Sequence, residues 1–372
     1  MRLPFPAPAS VRSLTDPAGL YIHIPFCRKK CAYCDFYSRV PSCGGTEDYV
    51  KALIKEMKKW GGELKNRPID TVYIGGGTPS LLGDMIIPLA EAAKSAFNIL
   101  PGAEVTAEVN PESAAEFLPA ARKAGVNRIS IGAQSGNDAM LRRLGRLHTA
   151  DDTAKAVAAA RNAGFDNISL DLMIGLPESG QASLDADTDF ILSLSPQHIS
   201  AYILKSEPGT ALFESGTLLP DDEATAEQYL SVCDRLEKSG YSHYEISNFA
   251  LPGFESRHNL RYWKDGEYLG IGPAAHSFLN GRRFYYPRDI KAFCQNPATV
   301  YDGAGGGKEE KLMLGLRLSE GVDMARYGLT PDTEKKLALM ENAGYITKKG
   351  SHISLTDKGM LVSNSIIAEL ME

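Results

Sequence analysis

Six short runs of apolar and β-branched residues recur in the first part of the chain, separated by longer stretches rich in Ala, Lys and Glu. The runs occupy residues 20–24, 71–75, 104–109, 128–132, 168–173 and 198–203. Strands that alternate with helices form βα units, whose strands lie parallel in one sheet with right-handed crossovers. We therefore predict an α/β fold with six βα units. Periodicity alone does not separate an open sheet from a closed barrel.

The rhythm changes beyond about residue 205, which divides the chain into regions of different character. We expect an irregular N-terminal arm, a core of six units, an extension, a Gly-rich linker and a C-terminal module with the element order of a winged helix. Their ranges are 1–18, 19–205, 206–293, 294–310 and 311–372. The module shows no basic recognition face, so we interpret it as a docking or lid domain and not as a DNA-binding one.

The net charge and the distribution of apolar residues and prolines argue against several classes of protein. The 372 residues are enough for two domains, and the formal net charge of −6 argues against a general nucleic-acid binder. No apolar run reaches the roughly 18 residues that span a bilayer. Prolines near the N-terminus prevent the apolar helix of a signal peptide. We expect a cytoplasmic protein with reduced thiols, which would be peripheral to a membrane only through a partner.

Three cysteines, Cys27, Cys31 and Cys34, share one short segment with the spacing C-x3-C-x2-C. Thiolates select zinc or iron–sulfur clusters. A closed zinc site would need a fourth ligand, for which Cys43 and His23 are candidates. A [4Fe–4S] cluster on three cysteines instead leaves one iron open to a further ligand.

Other polar groups stand where the predicted strands end, which is where functional groups collect in parallel sheets. GGGTP (75–79) follows the second strand, and its glycines allow a ligand to approach the backbone closely. It lacks the Gly-Lys-Ser/Thr ending of a phosphate loop. Glu108 can accept hydrogen bonds from an ammonium or ribose group, and Gln134 and Asp171 can do so for a second ligand. We expect these groups and the cysteines to form one site.

The cysteine loop together with GGGTP resembles the radical S-adenosylmethionine (SAM) superfamily. The resemblance implies a partial, TIM-like (β/α)6 barrel and a [4Fe–4S] cluster ligated by Cys27, Cys31 and Cys34. It implies further that the open iron binds SAM, which the reduced cluster can cleave to a 5′-deoxyadenosyl radical.

Six motifs extend the resemblance through nearly the whole chain: LYIHIPFC, GGGTPS, EVNP, SIGAQS, DLMIGLP and GIGPAAHS. Together they are similar to the family of oxygen-independent coproporphyrinogen III oxidase and its relatives. In the oxidase, two SAM molecules are bound. The resemblance implies that the residues near the first SAM molecule are Tyr21, Gly76, Glu108 and His276. The oxidase has an aliphatic residue at the position of His276. The resemblance places near the second molecule Tyr33, Gly77, Thr78, Gln134, Arg146, Asp171 and Ala201.

Two further features depart from the oxidase. Phe36 stands where the oxidase has a fourth cysteine that matters for turnover, and HNLRYW (258–263) is an H-N-x-x-Y-W motif. Both are similar to the HemW branch of the family, whose members are described as heme chaperones. The resemblance implies heme contact at His258, Tyr262 and Trp263, because imidazole ligates heme iron and aromatic rings pack on a porphyrin.

Three functions follow as hypotheses. The first is a heme chaperone that passes heme to an acceptor protein, with a respiratory protein among the candidates. The second is the oxidase, which would convert coproporphyrinogen III to protoporphyrinogen IX, and the third is a non-redox zinc protein. We favour the first. The sequence leaves open whether SAM is consumed, whether the chain is an enzyme and whether it forms a homodimer. The remaining histidines, with Cys43, Cys233 and Cys294, are interpreted as surface or core residues.

Replacing Cys27, Cys31 or Cys34 with Ala is expected to strip the cluster, because three irons each need one thiolate. Iron and sulfide content after anaerobic reconstitution measures this. Cys294→Ala serves as the control and should keep both. A variant with all three loop cysteines replaced that retained full iron and sulfide would contradict the assignment.

Overall fold

The computed structural model describes residues 16–42, 45–64 and 66–371. Most of the predicted N-terminal arm and Cys43 lie outside these ranges. Within them, no helix has both the length and the apolar character needed to pass through a bilayer.

Six parallel strands form the centre of the structure and confirm the six predicted βα units. Each strand pairs with the next along the chain, in the order 1-2-3-4-5-6. The strands are β1 (Ala18–Ile24), β2 (Pro68–Gly76), β3 (Asn98–Val109), β4 (Arg128–Gln134), β5 (Ile168–Ile174) and β6 (His198–Ile203).

Helices cover the outer face of these strands, and the main hydrophobic core lies between the two layers. They are α1 (Gly45–Leu64), α2 (Ile86–Ala96), α3 (Ala114–Ala124), α4 (Asp138–Arg143), α5 (Ala150–Asn162) and α6 (Gln181–Ser193). Local sequence sets their ends. A capping box of Thr149 and Asp152 begins α5, and Gly125, with φ 93°, ends α3.

The extension lengthens the sheet on both sides to twelve strands. Its elements are α7 (Ala211–Glu214), α8 (Asp222–Lys238), β7 (Ser242–Glu245), β8 (Asn248–Ala250), α9 (Arg257–Trp263), β9 (Tyr268–Ile271), β10 (His276–Leu279), β11 (Arg282–Tyr285), α10 (Ile290–Gln295) and β12 (Val300–Ala304). β8 pairs with β6, and β9 pairs in parallel with β1. The range 294–310, predicted as a linker, therefore contains an edge strand, because β12 pairs with β11.

Residues 308–371 form a C-terminal module with its own small hydrophobic core. It contains α11 (Lys308–Gly315), β13 (Val322–Asp323), α12 (Pro331–Asn342), β14 (Ile346–Lys349), β15 (His352–Leu355), α13 (Asp357–Leu361) and α14 (Ser363–Met371). β14 and β15 form a hairpin, and β13 pairs with the other edge of β15. This is the predicted order of two helices, a hairpin and a helical end.

A buried ion pair joins the first strands of the barrel to the extension. Arg67 Nη1 lies 2.5 Å from Glu267 Oε2, and both side chains are almost fully buried. Replacing Glu267 with Gln leaves the buried guanidinium without a counter-charge. We expect the free energy of unfolding to fall by about 3 kcal/mol, as measured by urea denaturation. The exposed pair Lys51–Asp48 provides the control, since Asp48→Asn should change stability little. Equal effects of the two substitutions would contradict this.

Candidate functional site

The cysteine loop follows β1 and is held by backbone hydrogen bonds to segments that are distant in sequence. Cys27 N donates to Arg39 O at 3.0 Å, and Ala32 N donates to Leu144 O at 2.9 Å. Thr78 N donates to Phe26 O at 2.7 Å. All three cysteines of the loop are free thiols and half-buried. The loop is therefore fixed in place while its sulfurs remain accessible to a ligand.

GGGTP lies against this loop as closely as its glycines allow. Gly77 N donates to Ile24 O at 2.8 Å, and a Cβ at Gly77 would meet Phe26 O at 2.7 Å. Gly76 has φ 114°, and a Cβ there would meet the His23 ring. Both positions therefore require glycine because the cysteine loop and β1 pack against them, and the approach of a ligand to this backbone stays a prediction.

A chain of hydrogen bonds connects two of the cysteines through Thr78, Asn110 and Arg146. Thr78 Oγ1 donates to Cys27 Sγ at 3.3 Å, and Asn110 Nδ2 donates to Thr78 Oγ1 at 3.1 Å. Arg146 then donates to Asn110 Oδ1 at 2.9 Å and to Cys31 Sγ at 3.7 Å. These donors offset negative charge on the sulfurs and fix the groups that surround them.

Two cavities open at the carboxyl ends of the strands. The barrel cavity, of about 430 Å³, lies inside the barrel, and the loop cavity, of about 140 Å³, lies between the cysteine loop and GGGTP. They share the walls formed by Tyr33, Cys34, Phe36, Glu108, Ser130, Asp171 and Tyr202. The predicted residues that line the loop cavity are Cys27, Cys31, Tyr33, Cys34, Gly76, Gly77, Thr78, Glu108, Gln134, Arg146 and Asp171. These residues from separate segments thus come together as one site.

Two buried carboxyl groups face this site with different partners. Glu108 accepts hydrogen bonds from Tyr73 Oη and Gly76 N, both at 2.9 Å, while burial raises its pKa. Burial and the charge of Glu108 raise the pKa of Asp171 to about 7. Burial lowers the pKa of Arg146, but nearby Tyr33 and Cys31 raise it by more. The pKa therefore lies well above the usual value, and the guanidinium stays charged. The site can therefore bind both cationic and anionic groups of a ligand.

The sulfur positions favour a cluster over a single zinc ion. Ligands of one tetrahedral zinc lie roughly 3.8 Å apart, given Zn–S bonds of about 2.3 Å. The sulfurs of Cys27, Cys31 and Cys34, all described residues, are not all within 4.8 Å of one another. His23, proposed as a fourth zinc ligand, has its Nδ1 beside Tyr21 Oη at 2.9 Å and its Nε2 beside Tyr37 O at 3.1 Å. The donor set of three spaced thiols beside an open cavity fits a [4Fe–4S] cluster with one open iron.

Three of the residues predicted to contact SAM lie outside the walls of both cavities. Tyr21 packs in the barrel against Tyr73, with ring centroids 6.2 Å apart. The Ala201 side chain is fully buried. His276 is exposed at the start of β10 and stacks on Tyr285. Their contact with SAM stays a prediction.

The H-N-x-x-Y-W motif lies in α9, near the amino ends of β1–β3 and away from the cysteines. His258 is fully buried; its Nδ1 lies 2.9 Å from Thr71 Oγ1 and its Nε2 lies 2.8 Å from Tyr262 Oη. Trp263 is half-buried, with the Arg317 guanidinium 5.4 Å from its ring centre. Both nitrogens of His258 are thus occupied in this structure, and heme contact at the motif stays a prediction.

Several residues of the site were missed by the sequence reasoning. The barrel cavity is also lined by Tyr73, Ser130, Ser200, Tyr202, Asn248 and Lys205, and Asn110 connects Thr78 to Arg146. Polar residues that alternate with apolar ones inside a strand were the available signal, since alternate residues face the barrel interior. Asn248 gave no such signal, because it reaches the cavity through β8, an added antiparallel strand.

Comparison with known proteins agrees with this geometry. The radical SAM superfamily model matches residues 21–191, and the HemN C-terminal domain model matches residues 309–362. The solved structure of the Escherichia coli coproporphyrinogen III oxidase HemN, a radical SAM enzyme, aligns with a TM-score of 0.83 at 23% identity. That alignment covers 96% of this chain and 91% of HemN, and it shows the shared fold. The chain therefore contains a radical SAM domain and has a HemN-type fold.

Relatives at higher identity define the group more narrowly. The heme chaperone HemW of Mycobacterium tuberculosis is 35% identical, over 96% of this chain and 95% of that protein. The HemW proteins of Bacillus subtilis and Escherichia coli are also 35% identical, each over 94% of this chain and covering 98% and 97% of those proteins. The chain belongs to the HemW family.

The stability of the fold is expected to depend on pH through His258. Burial, with Arg261 and Arg128, lowers its pKa to about 3. Below its ordinary value near 6.5, the unfolded chain takes up a proton that the folded chain does not, so stability falls as the pH falls towards 3. From about pH 7 to about pH 5, wild type should lose about 2 kcal/mol more than His258→Gln, as measured by urea unfolding. His352→Gln, an exposed control, should behave as wild type. Identical pH dependence in His258→Gln would contradict the buried, neutral state of this imidazole.

Proposed function

We propose that the chain binds heme and passes it to an acceptor protein, on a core that holds a [4Fe–4S] cluster and SAM. The HemW relatives named above, similar over nearly their full length, are heme chaperones. The observation that carries the proposal in this chain is Phe36. Its side chain is 65% exposed, yet it lines both cavities at their mouth.

The cofactors would occupy the two cavities that the cysteine loop lines. Cys27, Cys31 and Cys34 would hold the cluster, which supplies an electron to the sulfonium of SAM when both are bound. The Gly76 and Gly77 backbone would lie along SAM, where no side chain obstructs it. Since Gly76 N and Tyr73 already hold Glu108, its carboxylate is fixed towards an ammonium or ribose hydroxyl.

Heme would lie at the mouth of these cavities. It is a flat, apolar macrocycle with two carboxylates, and Phe36 offers an exposed aromatic face for packing. Lys29 and Lys30 line the loop cavity, while Lys205 lines the barrel cavity, so each cavity that Phe36 borders also has at least one lysine in its wall. An apolar face with ammonium groups in the same cavity walls matches the chemistry of heme, and its exposed position allows transfer to another protein.

Heme contact at His258, Tyr262 and Trp263 is the second candidate position. It would require α9 to separate from the barrel, because His258 N also donates to Glu104 at 3.0 Å. The Phe36 position requires no rearrangement, and we favour it for that reason.

The oxidase reaction is less well supported as a function. Phe36 carries no thiol, so it cannot relay a proton or a hydrogen atom at the mouth of the cavities. The resemblance to HemN extends through the fold, at 23% identity. At this mouth the chain has the phenyl ring of Phe36, at the position where the oxidase motif has a thiol.

Heme titration of the anaerobically reconstituted chain tests the proposal. Wild type should bind heme saturably, and Phe36→Ser should weaken binding by about tenfold or more, since burying a phenylalanine contributes about 1.5–3 kcal/mol. Leu339→Ser is the matched control, because Leu339 is 70% exposed on α12 and remote from the cavities. It should keep the wild-type affinity.

The variants also separate the two heme positions. His258→Gln should bind heme like wild type if Phe36 marks the site, and loss of binding in His258→Gln alone would move the site to α9. A titration without saturation in wild type would reject heme binding. Formation of protoporphyrinogen IX from coproporphyrinogen III, with dithionite and SAM present, would favour the oxidase instead.

A further inference from the structure

A second group of metal-binding side chains lies where the extension meets the C-terminal module. Cys233 belongs to α8, His243 to β7, and Asp357 is the first residue of α13. One ligand atom from each of these residues lies within 4.8 Å of the other two. This is the compact spacing of ligands to one ion, and it differs from the spacing of the three loop cysteines.

The imidazole of this group is held in one orientation. His243 Nδ1 lies 2.8 Å from Asp357 Oδ1, and the ring stacks on Phe249 with centroids 4.2 Å apart. On its other side, Tyr229 Oη lies 3.5 Å from His243 Nε2. The imidazole therefore cannot turn away from the thiol and the carboxylate without losing these contacts.

Burial and charge also suit a cation. Cys233 is 1% exposed and the His243 side chain 2%, whereas the Asp357 side chain is 34% exposed. An ion can therefore reach the group from solvent past Asp357. Glu237, one turn after Cys233 on α8, adds a second carboxylate that interacts electrostatically with Asp357 and His243.

A cysteine, histidine and aspartate group could also act as a nucleophilic triad. Nucleophilic catalysis by Cys233 is excluded, because a substrate cannot reach a thiol that is 1% exposed. A metal ion is small enough to enter, and thiolate, imidazole and carboxylate together are ligands that Zn²⁺ accepts in tetrahedral sites.

We propose that Cys233, His243 and Asp357 bind one Zn²⁺ ion, with water or the Tyr229 hydroxyl in the fourth position. Binding replaces the proton of the Cys233 thiol, which is released to solvent, and replaces the direct contact of His243 with Asp357 by two bonds to the ion. The site is separate from the cluster and does not depend on the heme proposal.

The ion would fasten the C-terminal module to the wall of the barrel cavity. Asp357 belongs to the module, whereas His243 belongs to β7. The chain continues from β7 to Ser247 and Asn248, which line the barrel cavity. The module also contacts this hairpin through Ile246 N, which donates to Arg317 O at 3.1 Å. A metal bond at His243 would therefore stabilise the docked module and the cavity wall together.

Zinc uptake by the full chain with its cluster reconstituted tests the proposal, because the loop cysteines are then occupied. After incubation with a zinc salt and gel filtration, elemental analysis should find one zinc per chain in wild type. Asp357→Asn should weaken zinc binding by at least about tenfold in competition with a chelator, and Cys233→Ser should abolish it. Cys294→Ser, which removes another free cysteine, should bind zinc like wild type.

Thermal unfolding provides the second measurement. Zinc should raise the Tm of wild type and of Cys294→Ser, because a ligand of the folded state stabilises it, and it should not raise the Tm of Cys233→Ser. Asp357→Asn, changed at a partly exposed side chain, keeps the test valid if Cys233→Ser does not fold. Absence of zinc in wild type, or unchanged zinc affinity in Asp357→Asn, would overturn the proposal and leave a hydrogen bond between His243 and Asp357.

Discussion

The rest of the site depends on how the cysteine loop is pinned to the ends of the parallel strands. The loop has little regular structure of its own, so backbone hydrogen bonds to other segments place its sulfurs. Gly77 bonds to Ile24 O, Ala32 bonds to Leu144 O, and Leu212 bonds to Ala32 O. Each bond joins the loop to a different βα unit or to the extension. The three thiols therefore converge only when the strand order is correct, and this makes the sheet a condition for binding the cluster.

Much of this arrangement was predictable, because strand ends are a local signal and parallel strands bring their ends together. The six strands followed from the apolar runs, and nine of the residues that line the loop cavity followed from that rule, whereas Tyr33 and Arg146 came only from the family resemblance. β9–β12 did not, since strands of four or five residues carry little pattern and become ordered by pairing with an existing edge. The burial and hydrogen bonding of His258 could not be predicted from the sequence either. Its burial depends on Thr71 and Glu104, which lie more than 150 residues earlier in the chain.

The two ends of the barrel have different physical roles. Near the amino ends two pairs of buried polar side chains contact each other, Thr71 with His258 and Arg67 with Glu267. Such contacts offset the cost of burying polar groups. At the carboxyl ends the polar groups surround cavities, and burial leaves Asp171 with a pKa of about 7. Buried polar pairs thus lie near the amino ends of the strands, and the cavities open at the carboxyl ends.

Under the proposed function, a single side chain at the carboxyl ends would distinguish two activities on one fold. The thiolates, the glycine-rich turn and the carboxylates that suit SAM do not depend on what occupies the mouth of the cavities. Phe36 does occupy that mouth and touches both cavities. A thiol there could take part in proton or hydrogen transfer, whereas an exposed phenyl ring can only pack against a ligand. Under the proposed function, the chain would keep the means of binding SAM and a cluster, while Phe36 at the mouth would hold a flat apolar molecule and release it unchanged.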